Sequence, residues 1–179
     1  MRGEEIFVDA GGHKGETSQS FAEWCNGAYR KIYVFEPYST LFEECRKNLC
    51  DLPNVNYIQA GLWHEKSFAR LEVSSNTAAT RCFSSSNPEE GVQLVTIDDI
   101  IEDHEITFIK MDIEGAELNA LIGAEKTIRK SRPKLAISVY HKRRDIWEIP
   151  MLLLKYNPDY SFYLRCYSFT GNETVLYAI

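Results

Sequence analysis

The sequence predicts an α/β fold: a doubly wound sheet, mostly parallel, that closes with an antiparallel C-terminal hairpin. Three observations predict it. Short apolar runs alternate with stretches whose apolar residues recur at helical spacing, a βαβαβ rhythm that implies parallel strands joined by crossover helices. Three of those runs end at an acidic residue, Asp9, Glu36 and Asp112. Finally, two strand-like runs flank Thr170-Gly171-Asn172, a hairpin turn signal.

Taken in order, Ile6-Phe7-Val8 is a buried strand ending at Asp9, and Gly11, Gly12 and Gly15 make the loop after it tight. Thr17 and Ser18 offer capping hydroxyls, and Phe21, Trp24 and Cys25 share one helical face, so a helix leaves the loop near Glu16 and stops at Asn26-Gly27. Lys31–Phe35 is the second strand, ended by Glu36-Pro37 because the residue before proline is pushed out of regular structure. Leu41, Phe42, Cys45 and Leu49 form the next helical stripe, and Val55–Leu62 reads as one third strand running into a small-residue turn. Phe68–Val73 alternates as an exposed strand, and Ser74–Asn87 reads as a polar loop. Thr96 or an adjacent Asp caps a short helix, and Ile106–Met111 is a buried strand ending at Asp112. Leu118, Leu121, Ile122 and Ala124 mark the following helix, Pro133 stops what comes next, and Leu135–Tyr140 is a fifth strand reaching His141. Ile146–Tyr156 is an amphipathic helix; Tyr160–Tyr167 and Glu173–Ile179 are the closing strands. In open α/β sheets ligands bind beyond the carboxyl ends of the strands, so Asp9, Glu36, Asp112 and His141 are expected to converge.

Composition narrows the function. The 179 residues, 44% hydrophobic and 26% charged, suit one domain spanning 1–179 with a sizeable core. A net charge of −6 is the wrong sign for tracking phosphates, so nucleic acid is not an expected partner. No apolar run is long enough to cross a membrane, and the charged Met1–Glu5 start does not read as a signal peptide, which makes the cytoplasm the expected location. The five cysteines (Cys25, Cys45, Cys50, Cys82, Cys166) are odd in number and contain no CxxC pair, so neither a disulfide framework nor a zinc site is expected.

The glycine loop Asp9–Gly15 lets backbone approach closely, and the next helix offers unpaired N–H groups to a polar ligand end. Glu36, at the end of the next strand, is placed to accept hydrogen bonds from both hydroxyls of a ribose. Together they indicate an adenosine-type cofactor without choosing between NAD and S-adenosylmethionine, because Ala10 stands where the first glycine of the dinucleotide fingerprint belongs. Two features then favour the second. A dehydrogenase needs a second mononucleotide half that a single sheet does not supply, and the acidic run Lys110–Glu117 suits a cationic cofactor. The rival readings are an NAD(P)-binding oxidoreductase domain and a non-catalytic cofactor-binding subunit.

The ordered motifs FVDAGGHKGETS, VFEP, IQAGLW, TIDDI, FIKMDIEGAELNALIGAE and SVYHK followed by DIWEIP span nearly the whole chain. In these it resembles the FkbM family of S-adenosylmethionine-dependent methyltransferases. The resemblance implies a seven-stranded class I methyltransferase (Rossmann-like) sheet and methyl transfer, most often to a hydroxyl of a sugar, glycan or natural product. It also implies that Asp9, Gly11 and Gly15 belong to the first cofactor motif, with Gly12 and Thr17 in the same loop. Glu36, followed by Pro37, is then the ribose-binding acid, and Gly61 and Leu62 lie where adenine packs. Family members commonly carry a segment ahead of the first strand that covers the cofactor, whereas five residues precede Ile6 here. An open site is therefore expected, explained by a covering N-terminal segment missing from this sequence, by a covering partner chain or second copy, or by Ser74–Asn87 acting as a lid.

For methyl transfer to oxygen, His141 is the candidate base, since an imidazole titrates near neutrality and this one follows a buried strand. Asp112 is the alternative base or a ligand for the cofactor's amino group, and Glu114 and Glu117 are candidates to orient substrate or hold a cation. Lys110 reads as a buried neighbour of these acids, and strand alternation sets Tyr140 opposite His141. No His or Asp at fixed local spacing supports a metal, which is left unassigned. Trp24, Trp63 and Trp147 read as core or rim aromatics, with Trp147 the one to test for substrate contact.

Overall fold

The structure is a computed structural model that describes residues 4–73, 80–85, 91–101, 105–169 and 173–179. In chain order its elements are β1 (Ile6–Ala10), α1 (Glu16–Trp24), β2 (Lys31–Phe35), α2 (Ser39–Asn48), β3 (Val55–Ile58), β4 (Gly61–Leu62), β5 (Ser67–Val73), β6 (Thr80–Ser85), β7 (Val92–Val95), α3 (Ile97–Ile100), β8 (Phe108–Met111), α4 (Glu117–Ile122), α5 (Glu125–Ser131), β9 (Lys134–Ser138), α6 (Asp145–Tyr156), β10 (Phe162–Cys166) and β11 (Thr174–Ala178). Seven of the strands form one sheet in the order β10-β11-β9-β8-β1-β2-β3. β1, β2, β3, β8 and β9 run parallel, while β11 pairs antiparallel with both β9 and β10. The expected doubly wound sheet with an antiparallel C-terminal hairpin is what forms; the turn Thr170-Gly171-Asn172 lies outside the described residues.

Strand periodicity explains the two layers. β1 is buried at all five positions because it has parallel neighbours on both edges and helices on both faces. Its alternate residues Ile6, Val8 and Ala10 join a large apolar cluster with residues of α4, α5 and α6, whereas Phe7 joins a second cluster with Phe21, Cys45 and Leu49 from α1 and α2. Phe7 stacks on Phe21 and Phe108 with ring centroids 4.3 and 5.2 Å away.

Several expectations are corrected. The run Val55–Leu62 is not one strand: a turn closed by Ala60 N–H on the Ile58 carbonyl sends β3 into the main sheet and β4 into a second, four-stranded sheet, β4-β7-β5-β6. Within Ser74–Asn87, read as a loop, residues Thr80–Ser85 form strand β6, paired antiparallel with β5; the remainder lies outside the described residues. β7, in the alternating run after Gly91, was not expected at all. The helix after β8 breaks in two at Gly123, where a Cβ would stand 2.1 Å from the Trp63 carbonyl oxygen. β9 ends at Ser138, so strand alternation does not govern Tyr140 and His141.

At the helix starts, Thr96 caps α3 as expected, its Oγ1 accepting from Asp99 N–H at 3.0 Å. Neither Thr17 nor Ser18 caps α1; Gly15 stands at that position in a left-handed conformation. Trp24 and Trp147 are more than half exposed. Cys25, Cys45, Cys50 and Cys166 are in no disulfide, and burial pushes the Cys45 thiol up to about 12. Among the described residues no helix is long and apolar enough to cross a membrane.

Phe7 links the two rings on either side of it and is fully buried. Phe7→Ala is expected to destabilise the fold by about 3–5 kcal/mol, the range for truncating a core aromatic. Urea denaturation followed by tryptophan fluorescence measures it, and an unchanged midpoint would remove this ring from the core.

Candidate active site

The functional end of the sheet is built where β1 lies between β2 and β8, the point at which the strand order reverses. Asp9, expected to contact cofactor, is completely buried behind the loop. Its carboxylate accepts from Ser18 Oγ at 2.7 Å and from Lys110 Nζ at 3.1 Å, and the same ammonium donates to the Gly11 carbonyl at 3.0 Å. Lys110, expected to be a buried neighbour of the acidic run, is partly exposed on the cavity wall, and the acid it pairs with is Asp9.

The glycines serve the loop's own packing. At Gly11, with φ +85°, a Cβ would lie 2.0 Å from the Asp112 carbonyl oxygen, and at Gly12 one would lie 2.3 Å from Val34 Cγ1. Only glycine lets these backbones close up, and both N–H groups then donate to the Phe35 carbonyl at 3.0 Å. The loop is locked to both neighbouring strand ends.

Over it lies a cavity of about 350 Å³, within the range of small-molecule sites. Gly11, Gly12 and Thr17 line it from the loop, and Pro37, Tyr38, Gly61, Leu62 and Leu94 give it an apolar flank. Glu36 opens onto the same cavity although only 4% exposed, held by His13 N–H on Oε2 at 2.8 Å and Tyr38 N–H on Oε1 at 3.0 Å. Burial raises its pKa, an effect that the two N–H donors partly offset. Each oxygen keeps a lone pair for a further donor, so the carboxylate is aimed and still able to accept.

The opposite end is acidic. Asp112 and Glu114 line the cavity together with Lys110. Glu114 and Gly115 take left-handed conformations in succession, φ 55° and 90°, which reverses the chain between β8 and α4. Inside that turn Glu117, fully buried, accepts from Ile113 N–H at 3.0 Å. Tyr140 faces the site rather than away from it: its hydroxyl donates to Asp112 Oδ1 at 3.1 Å, and burial together with that carboxylate pushes its pKa well above the usual value. The His141 ring lies 2.9 Å from Glu117, 3.4 Å from Glu114 and 3.5 Å from Asp112. Burial alone lowers its pKa, but Glu117, Asp112 and Glu114 outweigh that and raise it, while Glu114 is raised by burial.

Of the residues proposed from sequence, Gly11, Gly12, Thr17, Glu36, Pro37, Gly61, Leu62, Asp112 and Glu114 line the cavity; Asp9, Gly15 and His141 stand behind it, and Trp147 is not part of its wall. Sequence reasoning missed His13, Tyr38, Leu41, Leu94 and Ile113 as lining residues. Leu94 was findable, since it sits in the alternating run of β7. Tyr38 carries no local signal, because its place depends on the turn that Glu36 anchors.

Removing the Lys110 ammonium leaves the Asp9 carboxylate buried with one hydroxyl donor. Lys110→Met is therefore expected to cost about 3–5 kcal/mol, with Asp9→Asn/Lys110→Met costing less than the sum of the single changes. Chemical denaturation of the three variants supplies the cycle, and full additivity would show that the two groups do not interact.

A family model described as the methyltransferase FkbM domain matches residues 9–162. Among solved structures, the methyltransferase FkbM from Methylobacillus flagellatus KT is similar at 28% identity and TM-score 0.83, over 99% of this chain and 44% of that one. The chain thus spans less than half the length of that relative. Aeropyrum pernix fibrillarin, solved with natively bound S-adenosyl-L-methionine, is similar at 12% identity and TM-score 0.58, over 100% of this chain and 69% of the other. Precorrin-6y C5,15-methyltransferase from Geobacter metallireducens GS-15 is similar at 12% identity and TM-score 0.58, over 99% and 80%. These last two share the fold alone. No curated protein matches the chain. With the family model covering most of its length and a seven-stranded sheet in the order described, this chain belongs to the FkbM methyltransferase family.

Proposed function

We propose that this chain transfers a methyl group from S-adenosylmethionine to a hydroxyl oxygen of a small molecule or glycan. The observation that carries the reading is Glu36, a buried carboxylate pinned by two backbone N–H groups and opening on a cavity with an apolar slot on one side and carboxylates at the other end. That polarity fits the cofactor's parts. Glu36 would hold the ribose hydroxyls, Gly61, Leu62 and Leu94 the adenine, and Asp112 the cationic end. When bound, S-adenosylmethionine supplies an electrophilic methyl group on a positively charged sulfur.

The chain's own contribution is alignment, exclusion of water and removal of a proton. An alcohol is a poor nucleophile while protonated, so a carboxylate on the cavity wall is needed beside it. Glu114 is the group we assign to that role, while Tyr140 fixes Asp112 in place for the cofactor. His141, the base expected from sequence, stands behind the wall among three carboxylates, which suits a supporting role better than direct proton transfer. An NAD(P)-binding reading is disfavoured by the sheet order: β11 runs antiparallel beside β9, where a second mononucleotide half would continue in parallel.

Calorimetry tests the reading. S-adenosylhomocysteine is expected to bind and NADH not; binding of NADH alone would overturn the proposal. Glu36→Gln, which keeps one acceptor oxygen for the loop, should weaken S-adenosylhomocysteine by about 1–3 kcal/mol, roughly 5- to 150-fold. With a responsive acceptor, Glu114→Gln should lower the single-turnover rate by about 10²–10⁴-fold at unchanged cofactor affinity. A wild-type rate in that variant would return the proton to another group.

A further inference from the structure

At the acidic end of the cavity the charges do not balance. Asp112, Glu114 and Glu117 stand within 3.5 Å of the His141 ring, and among the described residues that ring is the one basic side chain within ion-pair distance of any of them. Lys142 spends its ammonium on the Gly115 carbonyl, and Lys110 gives its own to Asp9 and the Gly11 carbonyl. Asp145, also buried, adds a further carboxylate behind the cluster, accepting from Lys142 N–H at 3.2 Å. The Asp112 and Glu114 side chains are 38% and 40% exposed, but Glu117 and Asp145 are buried, and one imidazole faces all four carboxylates.

The ring itself has no satisfactory partner. The His141 side chain is 9% exposed; Glu117 stands 2.9 Å from Nδ1, Glu114 and Asp112 stand 3.4 and 3.5 Å from Nε2, and neither nitrogen completes a hydrogen bond. Glu117 Oε2 is likewise buried without a partner. Buried donor atoms left without hydrogen bonds are candidates to share an ion, to which the imidazole gives one nitrogen. Bonds of about 2.0–2.3 Å put neighbouring ligand atoms about 3 Å apart and opposite ones up to about 4.5 Å. One donor atom each from Asp112, Glu117 and His141 lies within 4.8 Å of the other two.

We propose that Asp112, Glu117 and His141 bind a first-row divalent cation. One imidazole with two carboxylates is a mixed nitrogen and oxygen set, suited to Mn²⁺ or Zn²⁺ more than to Ca²⁺, which takes oxygen ligands only. Glu117 is buried, the His141 side chain is 9% exposed and Asp112 reaches the cavity wall, so the positions left open on the ion face the cavity. An acceptor hydroxyl bound there becomes easier to deprotonate. That role rests on the methyl-transfer reading above; the binding itself does not.

The test uses Mn²⁺ alone with the full chain and no cofactor, read by electron paramagnetic resonance. Saturable binding of a single ion is expected, with a nitrogen modulation in the pulsed spectrum from the imidazole. Asp112→Asn should weaken it at least about tenfold, and His141→Gln should abolish the nitrogen signal. Asp112 is partly exposed, so the Asn variant should fold, and circular dichroism checks both. Absence of saturable binding at millimolar Mn²⁺, or binding indifferent to both substitutions, overturns the site and leaves a histidine–carboxylate ion cluster. Calorimetry with S-adenosylhomocysteine on the same sample reports the cofactor reading independently, so the failure of one is not the failure of the other.

Discussion

A buried carboxylate sets the geometry of everything above it. Asp9 is wholly inside the protein at the end of β1, where an unpaired charge would be prohibitive, and its partners come from two other elements, Lys110 on β8 and Ser18 on α1. Asp9 and Lys110 are also register partners in the β1–β8 ladder, so the ion pair and the backbone pairing specify the same alignment. A slip of one residue would turn the lysine to the other face of the sheet and strand the acid. Since the same ammonium bonds the Gly11 carbonyl, the register of two strands is passed directly to the glycine loop.

That loop is rigid for reasons of close packing rather than of ligand contact. Gly11 touches the backbone after β8 and Gly12 the side chain of Val34, so the cavity floor is fixed before any ligand arrives. Preorganisation extends to the acids at both ends. Glu36 is held by two backbone donors, and Asp112 by the Tyr140 hydroxyl. Glu114, by contrast, sits in a left-handed conformation that a non-glycine residue adopts at a cost of about 1–2 kcal/mol. Strain of this sort at a cavity wall is where function, rather than folding, is served.

The sheet and most of the cavity lining could be read from the chain because they depend on local pattern. Buried parallel strands announce themselves as apolar runs, and each acid that ends one is placed by the strand before it, which is why Glu36 and Asp112 were found. That Asp9 stands behind the cavity wall is not legible, because the sequence does not show Lys110, a hundred residues away, turning toward it. The same blindness to long-range packing concealed the second sheet: β4 has two residues and no pattern of its own, and it exists only because β7 pairs with it. Tyr140 and His141 were given opposite faces on the assumption that β9 continued through them, whereas the strand stops at Ser138 and the chain is free to turn both rings, 4.0 Å apart, toward Asp112.

The order of the strands also sets the length of what the cavity can hold. Along the carboxyl edge the candidate groups follow the sheet: His141 after β9, Asp112 after β8, Gly11 after β1, Glu36 after β2, and Gly61 beyond β3. Neighbouring strands are about 4.8 Å apart, so Asp112 and Glu36 stand about two spacings from each other, roughly 10 Å, with the glycine loop midway. A ligand that touches both carboxylates must therefore be elongated, bear hydroxyl donors at one contact and positive charge at the other, and cross the loop between them without a bulky branch. An aminoacyl nucleoside has that length and that order of groups; a free amino acid is too short, and a dinucleotide carries negative charge where the acids lie. His141, after β9, stands one strand further along the row and still reaches Asp112 at 3.5 Å, so two strand ends share the acidic end of the cavity.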